Sequence, residues 1–477
     1  MENDSHLLSA AIAKKEIASA AAVLPASGSA RGGVTAPEPW PSPVQAWYAV
    51  FISALILMVS FVDRSIVTLL VEPIKRDLHL TDVQMSLLMG FAFVCFYVTV
   101  GLPVARLADY KSRRLIMGVA VGAWSIMTAL CGVARSFPQL FLCRIGVGAG
   151  EGCTGPANYS MLADLFPKEK LARAIAVVNF GIYAGNGLAL IIGGALTARF
   201  VALPPQRLPV VGTIPGWQLT FFVVGLPGLL VAALMRTVRE PKRRGRMDGQ
   251  GSTGVPVVPL RQVASFMRAH AAIYGSLFLG IGIQNLVTFG VATWGAAFYL
   301  RTFHWSPARY GWVQGVITLS VAPLGALTGG FLTERAARKG HEDANLRVVR
   351  LATWLALPGL VLYPLMPTAA LAIAVSIYAT FVASWTAGPI NAALQVITPN
   401  QMRAQMTGVF LVFYNLLGLG LGPTVVALYT EYVFHSERLV GRSMALTALT
   451  VGPIAALLWG FAMKPYARSL ESAKAWR

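Results

Sequence analysis

Long apolar runs separated by short polar or basic stretches recur from about residue 46 to about residue 465. Each run has about 20 residues or more, the length that an α-helix needs to cross the hydrocarbon core of a bilayer. The strands of a membrane β-barrel would instead give segments of about ten residues with strict alternation. The pattern therefore predicts an all-α membrane protein. Twelve spans are predicted, near residues 46–72, 83–106, 115–135, 138–166, 171–199, 214–236, 269–300, 308–332, 347–366, 369–397, 404–431 and 443–465.

The fourth run, from Pro138 to Pro167, carries Arg144 and Glu151 well inside an otherwise apolar span. A charge at the centre of a membrane helix costs about 2.5–3.5 kcal/mol on insertion scales, so stability alone does not account for either residue. Residues seven apart lie on nearly the same helix face, about 10 Å apart along the axis. The many glycines between them allow neighbouring helices to approach closely. The run predicts a helix with a polar, functional face.

The chain contains an internal repeat. ARLADYKSRR at 105–114 is similar to GFLTERAARK at 330–339, and GPAN at 155–158 recurs as GPIN at 388–391. Between the copies lies the longest polar stretch, 237–268, whose basic and Gly-rich composition predicts a flexible cytoplasmic linker. The chain thus divides into two six-helix halves. The predicted regions are a disordered cytoplasmic tail at 1–44, an N-terminal half at 45–236, the linker at 237–268, a C-terminal half at 269–465 and a cytoplasmic tail at 466–477.

Composition and charge support a membrane location. The chain is 56% hydrophobic and 12% charged, which excludes an ordinary soluble domain. A net charge of +19 would suggest nucleic-acid binding in a soluble protein, but here the positive-inside rule explains it, so no nucleic-acid partner is predicted. On the assumption that the amino terminus is inside, 28 of the 39 Lys and Arg residues lie on the inner side and nine on the outer side. This bias predicts that both termini are cytoplasmic.

Cofactor and enzyme motifs are not found in the sequence. The cysteines fall inside predicted spans without the paired spacing of metal sites, and no phosphate-binding GxxxxGK[ST] loop is present. We also find no constellation of nucleophile, base and metal ligands in the spans. The sequence therefore predicts no metal, no cofactor and no enzymatic activity. The four cysteines are Cys95, Cys131, Cys143 and Cys153.

The loop after span 2 resembles the signature loop of the major facilitator superfamily, in which an acid closes the second span and basic residues follow. This loop departs from the usual pattern at Ala105, Tyr110 and Ser112. The resemblance implies a gate in which the acid, Asp109, contacts the amino terminus of span 11, where the helix dipole favours a carboxylate. The predicted gating residues, with those of the second repeat, are Asp109, Arg113, Arg114, Glu334 and Arg335.

Three further sequences narrow the resemblance: FVDRSIVTLLVEPIK at 61–75, RIGVGAGEG at 144–152 and ADLFP at 163–167. Together with the loop they are similar to the spinster-like family, over essentially everything after residue 45. The resemblance implies two pseudo-symmetric halves with the major facilitator superfamily fold. It also implies a bacterial-type member in the inner (plasma) membrane that works by alternating access.

Four charged residues form the predicted coupling site. Asp63 and Arg64 lie in span 1, about 14 Å below its outer end, and span 4 runs the opposite way, so Arg144 and Glu151 lie at overlapping depths. If both spans line the central cavity, as the resemblance implies, one carboxylate can exchange a proton while an Arg holds the anion. Asp63 is the first choice for the proton carrier and Glu151 the second. The alternatives are a permanent structural network and direct Na⁺ coupling.

Polar and aromatic residues of spans 5, 7, 10 and 11 are candidate cavity contacts, although each alone is more typical of packing between helices. The candidates are Asn179, Tyr183, Gln284, Asn285, Trp385, Asn391 and Asn415.

We therefore expect a monomeric secondary active transporter with proton coupling. Its expected substrate is a small amphipathic or anionic organic molecule, such as a lysolipid-like compound or a hydrophobic metabolite. The expected partners are this substrate, the proton and membrane lipid. A non-coupled lipid flippase or a membrane receptor on the same scaffold remains the alternative.

Overall fold

The computed structural model describes residues 40–209, 212–243 and 259–474, and its described part is almost entirely helical. The first six spans are Pro43–Leu69; Asp82–Ser86, Leu87–Phe91 and Ala92–Tyr110; Arg113–Cys131; Phe137–Gly152 and Thr154–Leu165; Lys168–Val201; and Gly216–Met235. The last six are Ala271–Phe303; Pro307–Arg338; Ala344–Leu362; Ala369–Ala383 and Ala387–Val396; Arg403–Phe413, Tyr414–Leu421, Gly422–Leu428 and Tyr429–Val433; and Val440–Lys474. We refer to them as spans 1 to 12. The prediction of an all-α protein with twelve spans in two six-helix halves is confirmed.

Eleven of these spans are long and apolar enough to cross a membrane within the described ranges. Span 4 differs because Cys153 separates its two helical pieces, Phe137–Gly152 and Thr154–Leu165. Pro156 lacks the N–H that would bond the carbonyl of Gly152, so the sequence weakens the helix at this point. The break lies two residues after Glu151, so the helix that carries Glu151 ends immediately after it.

Short elements connect the spans. A helix at Val71–Leu78 follows span 1, and an antiparallel hairpin of β1 (Gln206–Leu208) and β2 (Gly212–Ile214) precedes span 6. The last part of the predicted flexible linker is a helix, Leu260–Ala269, because Val263 is buried in the core of the C-terminal half. Residues 1–39 of the predicted tail and 244–258 of the linker lie outside the described residues.

Span 12 extends past its predicted end at 465. The helix continues to Lys474. Tyr466, Leu470 and Ala473 are buried, so packing rather than membrane crossing sustains this last part of the helix. Residues 466–474, predicted as part of the cytoplasmic tail, therefore continue the helix of span 12.

The two halves meet closely at one end of the bundle. We call the end at which span 1 begins and span 12 ends the terminal end, and the opposite end the distal end. At the distal end a single hydrophobic core contains residues of both halves, such as Ile66 and Trp294. Toward the terminal end the core divides into one cluster per half, around Met161 and around Tyr274. The halves are thus packed together distally and separate toward the terminal end.

Close contacts between helices hold the two halves together at the distal end. A Cβ atom at Gly90 of span 2 would lie 2.3 Å from the carbonyl oxygen of Leu419 in span 11, so only glycine fits there. A Cβ atom at Gly194 of span 5 would lie 2.5 Å from the carbonyl oxygen of Pro307, at the start of span 8. Spans 2 and 11 also have π-helical turns where they face each other, a feature frequent at functional sites.

Candidate functional site

Asp63 of span 1 is completely buried inside the N-terminal half. Neither of its carboxyl oxygens accepts a hydrogen bond from any residue that the structure describes. Its charged neighbours are Arg144 and Glu151 of span 4, and the hydrogen-bonding side chains of Trp124 and Thr128 of span 3 also interact with it. An unpartnered buried polar group costs about 1–3 kcal/mol, so this arrangement requires an explanation.

Arg144 is also buried, at 1% exposure, and it bonds backbone carbonyls rather than a carboxylate. Its Nε donates to the Leu88 oxygen at 3.3 Å, and its Nη1 donates to the Asp63 backbone oxygen at 3.4 Å. Both distances are long for hydrogen bonds. The Phe93 ring lies 5.5 Å from the guanidinium carbon. Arg144 therefore tethers spans 1, 2 and 4 while its charge has no ion pair within the described residues.

Glu151 pairs with Arg64. The Arg64 Nε and Nη2 atoms each lie 2.6 Å from Glu151 Oε2, and the Ser60 hydroxyl donates to the same oxygen. Glu151 and Arg144 are two helical turns apart, which is too far for direct contact, whereas span 1 brings Arg64 against the Glu151 carboxylate. The structure thus brings all four predicted residues together, as one ion pair and one buried acid beside a separately bonded cation.

Aromatic rings surround the Arg64 guanidinium. The rings of Phe93, Tyr97 and Phe61 have centroids 4.5, 5.1 and 5.4 Å from the guanidinium carbon. The Arg64 side chain remains 24% exposed. Tyr414 of span 11 interacts electrostatically with Tyr183, Arg64 and Tyr97. Tyr183 therefore lies at the same site, on the boundary between the two halves.

The other cavity candidates serve mainly as helix contacts. Gln284 bonds Thr386 at 3.3 Å, Thr353 at 3.0 Å and the Trp459 indole at 2.8 Å, which ties spans 7, 9, 10 and 12 together. Three asparagines each donate to the carbonyl four residues earlier in their own helix: Asn285, Asn391 and Asn415. Trp385 packs on Phe381, with ring centroids 5.8 Å apart. The Asn179 side chain lies outside the described part.

The predicted gating arginines of the first half form a network inside that half, at the terminal end. Arg113, 1% exposed, binds Asp164, the Ser160 carbonyl at 3.0 Å and Glu240 at 3.0 Å. Arg114 donates its amide to Glu240 at 2.8 Å. Burial of the Glu240 carboxylate opposes ionisation, but these hydrogen bonds outweigh it, so the pKa of Glu240 lies below its ordinary value.

The second repeat does not reproduce this network. Glu334 and Arg338 are 3.5 Å apart and both about two-thirds exposed. Arg335 is exposed as well. The side chain of Asp109 is not among those that the structure describes, so its predicted contact with span 11 stays a prediction.

A second charged cluster, which we call the distal network, joins the two halves and was not predicted. Arg301 of span 7 binds Glu72 at 2.7 Å and Asp82 at 2.9 Å. Lys75 binds Asp82 and, at 2.7 Å, Glu437. Glu72, Lys75 and Asp82 belong to the N-terminal half, whereas Arg301 and Glu437 belong to the C-terminal half. The interleaved charges of residues 71–82 could have suggested a network, but no sequence pattern identifies their partners.

Comparisons with known proteins agree with this architecture. The Major Facilitator Superfamily model matches residues 53–423. An MFS-type efflux pump of Mycolicibacterium smegmatis is 27% identical over 439 residues, covering 90% of this chain and 95% of the pump. Protein spinster homolog 1 of Xenopus tropicalis is 26% identical over 303 residues, covering 60% of this chain and 54% of that protein. The chain thus spans about half the length of this spinster relative.

Solved structures of other transporters have the same fold. A bacterial homologue of the human lysosomal transporter Spinster, in an inward-facing and unoccupied conformation, superimposes with a TM-score of 0.73 at 25% identity. The match covers 92% of this chain and 99% of the other. The prediction from the charged motifs is confirmed: the chain belongs to the major facilitator superfamily and is a transporter of the spinster type.

Proposed function

We propose that this protein is a proton-coupled secondary transporter that moves a small amphipathic or anionic organic molecule by alternating access, with Asp63 as the proton carrier. The observation that carries the proposal is the buried Asp63 carboxyl, which accepts no hydrogen bond from the described residues although a cation, Arg144, lies beside it.

The two acids of the site suit different protonation states. An ionised carboxylate in a dry environment is costly unless it is paired, so the unpaired Asp63 suits the neutral, protonated form. Glu151 has an ion pair with Arg64 and a hydrogen bond from Ser60, so it suits the ionised form. Movement of Arg144 from the two carbonyls onto the Asp63 carboxylate would favour release of the proton. Such a movement would couple the conformation to proton loading.

The surroundings of Arg64 support the substrate class. The partly exposed Arg64 side chain offers a positive charge to an anionic group, and Tyr97, Tyr183 and Tyr414 offer aromatic surface on both sides of the boundary between the halves. This combination fits a molecule with an anionic head and an apolar body. The chain is similar to a protein described as an efflux pump and to spinster proteins, which is compatible with this class.

We propose that the terminal end faces the cytoplasm, because the sequence-based assignment places 28 of the 39 basic residues on the inner side. The separation of the halves toward this end then corresponds to an inward-facing state. A bacterial inner membrane location and a monomeric state complete the proposal.

The experiment begins with a thermal-shift screen of the purified protein against small anionic amphiphiles. Uptake of a stabilising compound into proteoliposomes is then measured with and without a pH gradient, and with and without a Na⁺ gradient. We expect uptake that the pH gradient drives and the Na⁺ gradient does not. Equal uptake without any gradient would indicate an uncoupled flippase, and binding without transport would indicate a receptor.

A further inference from the structure

Two buried hydrogen-bond donors of span 3 face the Asp63 carboxyl. Trp124 and Thr128 are one turn apart on this helix, and both are completely buried. The Trp124 Nε1 and the Thr128 Oγ1 have no hydrogen-bond partner among the described residues. Both side chains nevertheless interact with the Asp63 carboxyl. Three unpartnered polar groups thus lie together in the interior of the N-terminal half.

Thr128 departs from the usual behaviour of threonine in this bundle. A threonine hydroxyl inside a helix ordinarily donates to the carbonyl four residues earlier. Thr353, Thr430 and Thr447 do so here, at 2.8, 3.0 and 2.8 Å. The Thr128 hydroxyl makes no such bond, so it remains available to a group outside its own helix.

Few other groups can stabilise an Asp63 anion. Within the described part of the chain, the charged and titratable groups that interact with it are Arg144 and Glu151 of span 4 and Cys131 of span 3. Glu151 repels the anion, and the Cys131 thiol is a weak donor. Arg144 donates to two carbonyls in this conformation, so it reaches the carboxylate only if it leaves them. Trp124 and Thr128 are the uncommitted donors beside the carboxyl.

We propose that Trp124 and Thr128 are the donors that bind the Asp63 carboxylate after it loses its proton, and that they thereby set the pH at which Asp63 releases it. The proposal rests on the assignment of Asp63 as the proton carrier. On release, the carboxyl O–H bond breaks, its electron pair stays on the carboxylate, and the proton passes to water admitted by the conformational change. The indole N–H and the threonine O–H then close on the anion. Trp124 and Thr128 act through Asp63 and are positioning residues.

The test is an infrared titration of the full chain in lipid membranes, because it needs no transported substrate. The carboxyl C=O band that disappears in Asp63→Asn is the band of protonated Asp63. The pH at which half of this band is lost is its titration midpoint. Thr128→Val keeps the shape but removes the hydroxyl, so we expect the midpoint to rise by about one pH unit. Thr128→Ser should restore the wild-type midpoint, and Trp124→Phe should raise it independently.

Ser125→Ala is the matched control. Ser125 is the neighbour of Trp124 and is equally buried, and its hydroxyl likewise has no partner among the described residues. Its Oγ points instead at span 6, where a Cβ atom at Gly228 would lie 2.0 Å from it. We therefore expect Ser125→Ala to leave the midpoint unchanged.

The outcomes separate this inference from the proposed function. An Asp63 band whose midpoint does not move in Trp124→Phe and Thr128→Val overturns the inference, as does an equal shift in Ser125→Ala. If Thr128→Val does not fold, Trp124→Phe alone decides in the same way. A wild-type protein without any band that depends on Asp63 and titrates with pH overturns the assignment of Asp63 itself.

Discussion

Asp63 and Glu151 are carboxylates on neighbouring helices with opposite surroundings. One oxygen of Glu151 accepts hydrogen bonds from the Arg64 guanidinium and the Ser60 hydroxyl, whereas Asp63 accepts no hydrogen bond from the described residues. Such a difference in environment separates the roles of two acids at one site. At the scale of single residues, this contrast is the basis of the proposed mechanism.

Glu151→Gln tests the ion pair. The change leaves the Arg64 charge beside a neutral amide, so we expect the protein to lose about 1.5–3 kcal/mol of stability, seen as a lower thermal unfolding temperature in detergent. The double variant Arg64→Gln with Glu151→Gln should recover part of the loss, because no uncompensated charge remains. Ser60→Ala, which loses one hydrogen bond, should cost less. Wild-type stability in Glu151→Gln would contradict the pairing.

The sequence was sufficient to identify Asp63, Arg64, Arg144 and Glu151 as a group, because charges inside membrane spans are rare. It could not identify which acid pairs with which cation, since pairing depends on the rotation of span 1 against span 4. Trp124 and Thr128 were missed because such residues are ordinary in membrane helices and only their position beside Asp63 distinguishes them.

At the scale of helices and connecting segments, the distal network joins the two halves by ion pairs. Arg301 alone binds Glu72 and Asp82 of the opposite half and also approaches Glu437 of its own half. Opening the distal end requires these bonds to break. Arg301 and its two partners in the opposite half lie more than 200 positions apart in the chain, so the geometry of the network could not be predicted from the sequence.

Arg301→Gln should shift the protein toward a conformation that is open at the distal end. In a variant without native cysteines, spin labels at the exposed positions Arg76 and Arg438 report the distance between the halves there. We expect a longer-distance population to appear in Arg301→Gln. Arg309→Gln is the control, because Arg309 stacks on Trp305 of its own half at 4.2 Å. Identical distance distributions in wild type and Arg301→Gln would contradict a closing role.

The Glu240 network at the terminal end gives a pH prediction. Because the pKa of Glu240 is lowered in the folded protein, its contribution to stability is present above the ordinary Glu value of about 4.3 and is lost as the pH falls below it. We expect Glu240→Gln to unfold at a lower temperature than wild type at neutral pH, with the difference closing in acid. The exposed Glu334→Gln should show little difference at either pH. A Glu240→Gln difference that does not depend on pH would be inconsistent with this account.

At the scale of the whole molecule, the number of spans and their division into halves followed from apolar run lengths and the internal repeat. The ends of elements were less predictable, because tertiary packing decides them. Span 12 continues to Lys474 through its buried Tyr466 and Leu470, and the Leu260–Ala269 helix forms where the composition predicted a flexible linker. The separation of the halves toward one end has no counterpart in sequence periodicity.

Orientation in the membrane is tested with single cysteines at exposed positions in a variant without native cysteines. Lys339→Cys lies at the terminal end and Pro205→Cys at the distal end. In intact cells we expect Lys339→Cys to react only with membrane-permeant thiol reagents and Pro205→Cys to react with impermeant ones as well. The reverse pattern would overturn the proposed cytoplasmic location of the terminal end.

The most direct test of the central claim is proton movement on substrate addition in proteoliposomes that contain wild type or Asp63→Asn, with a compound found in the thermal-shift screen. Asp63→Asn keeps the shape of the side chain but fixes it in a neutral form. We expect substrate-coupled proton movement in wild type and none in Asp63→Asn, while Asp63→Asn still binds the compound. Full substrate-coupled proton movement in Asp63→Asn would contradict the assignment of Asp63 as the proton carrier.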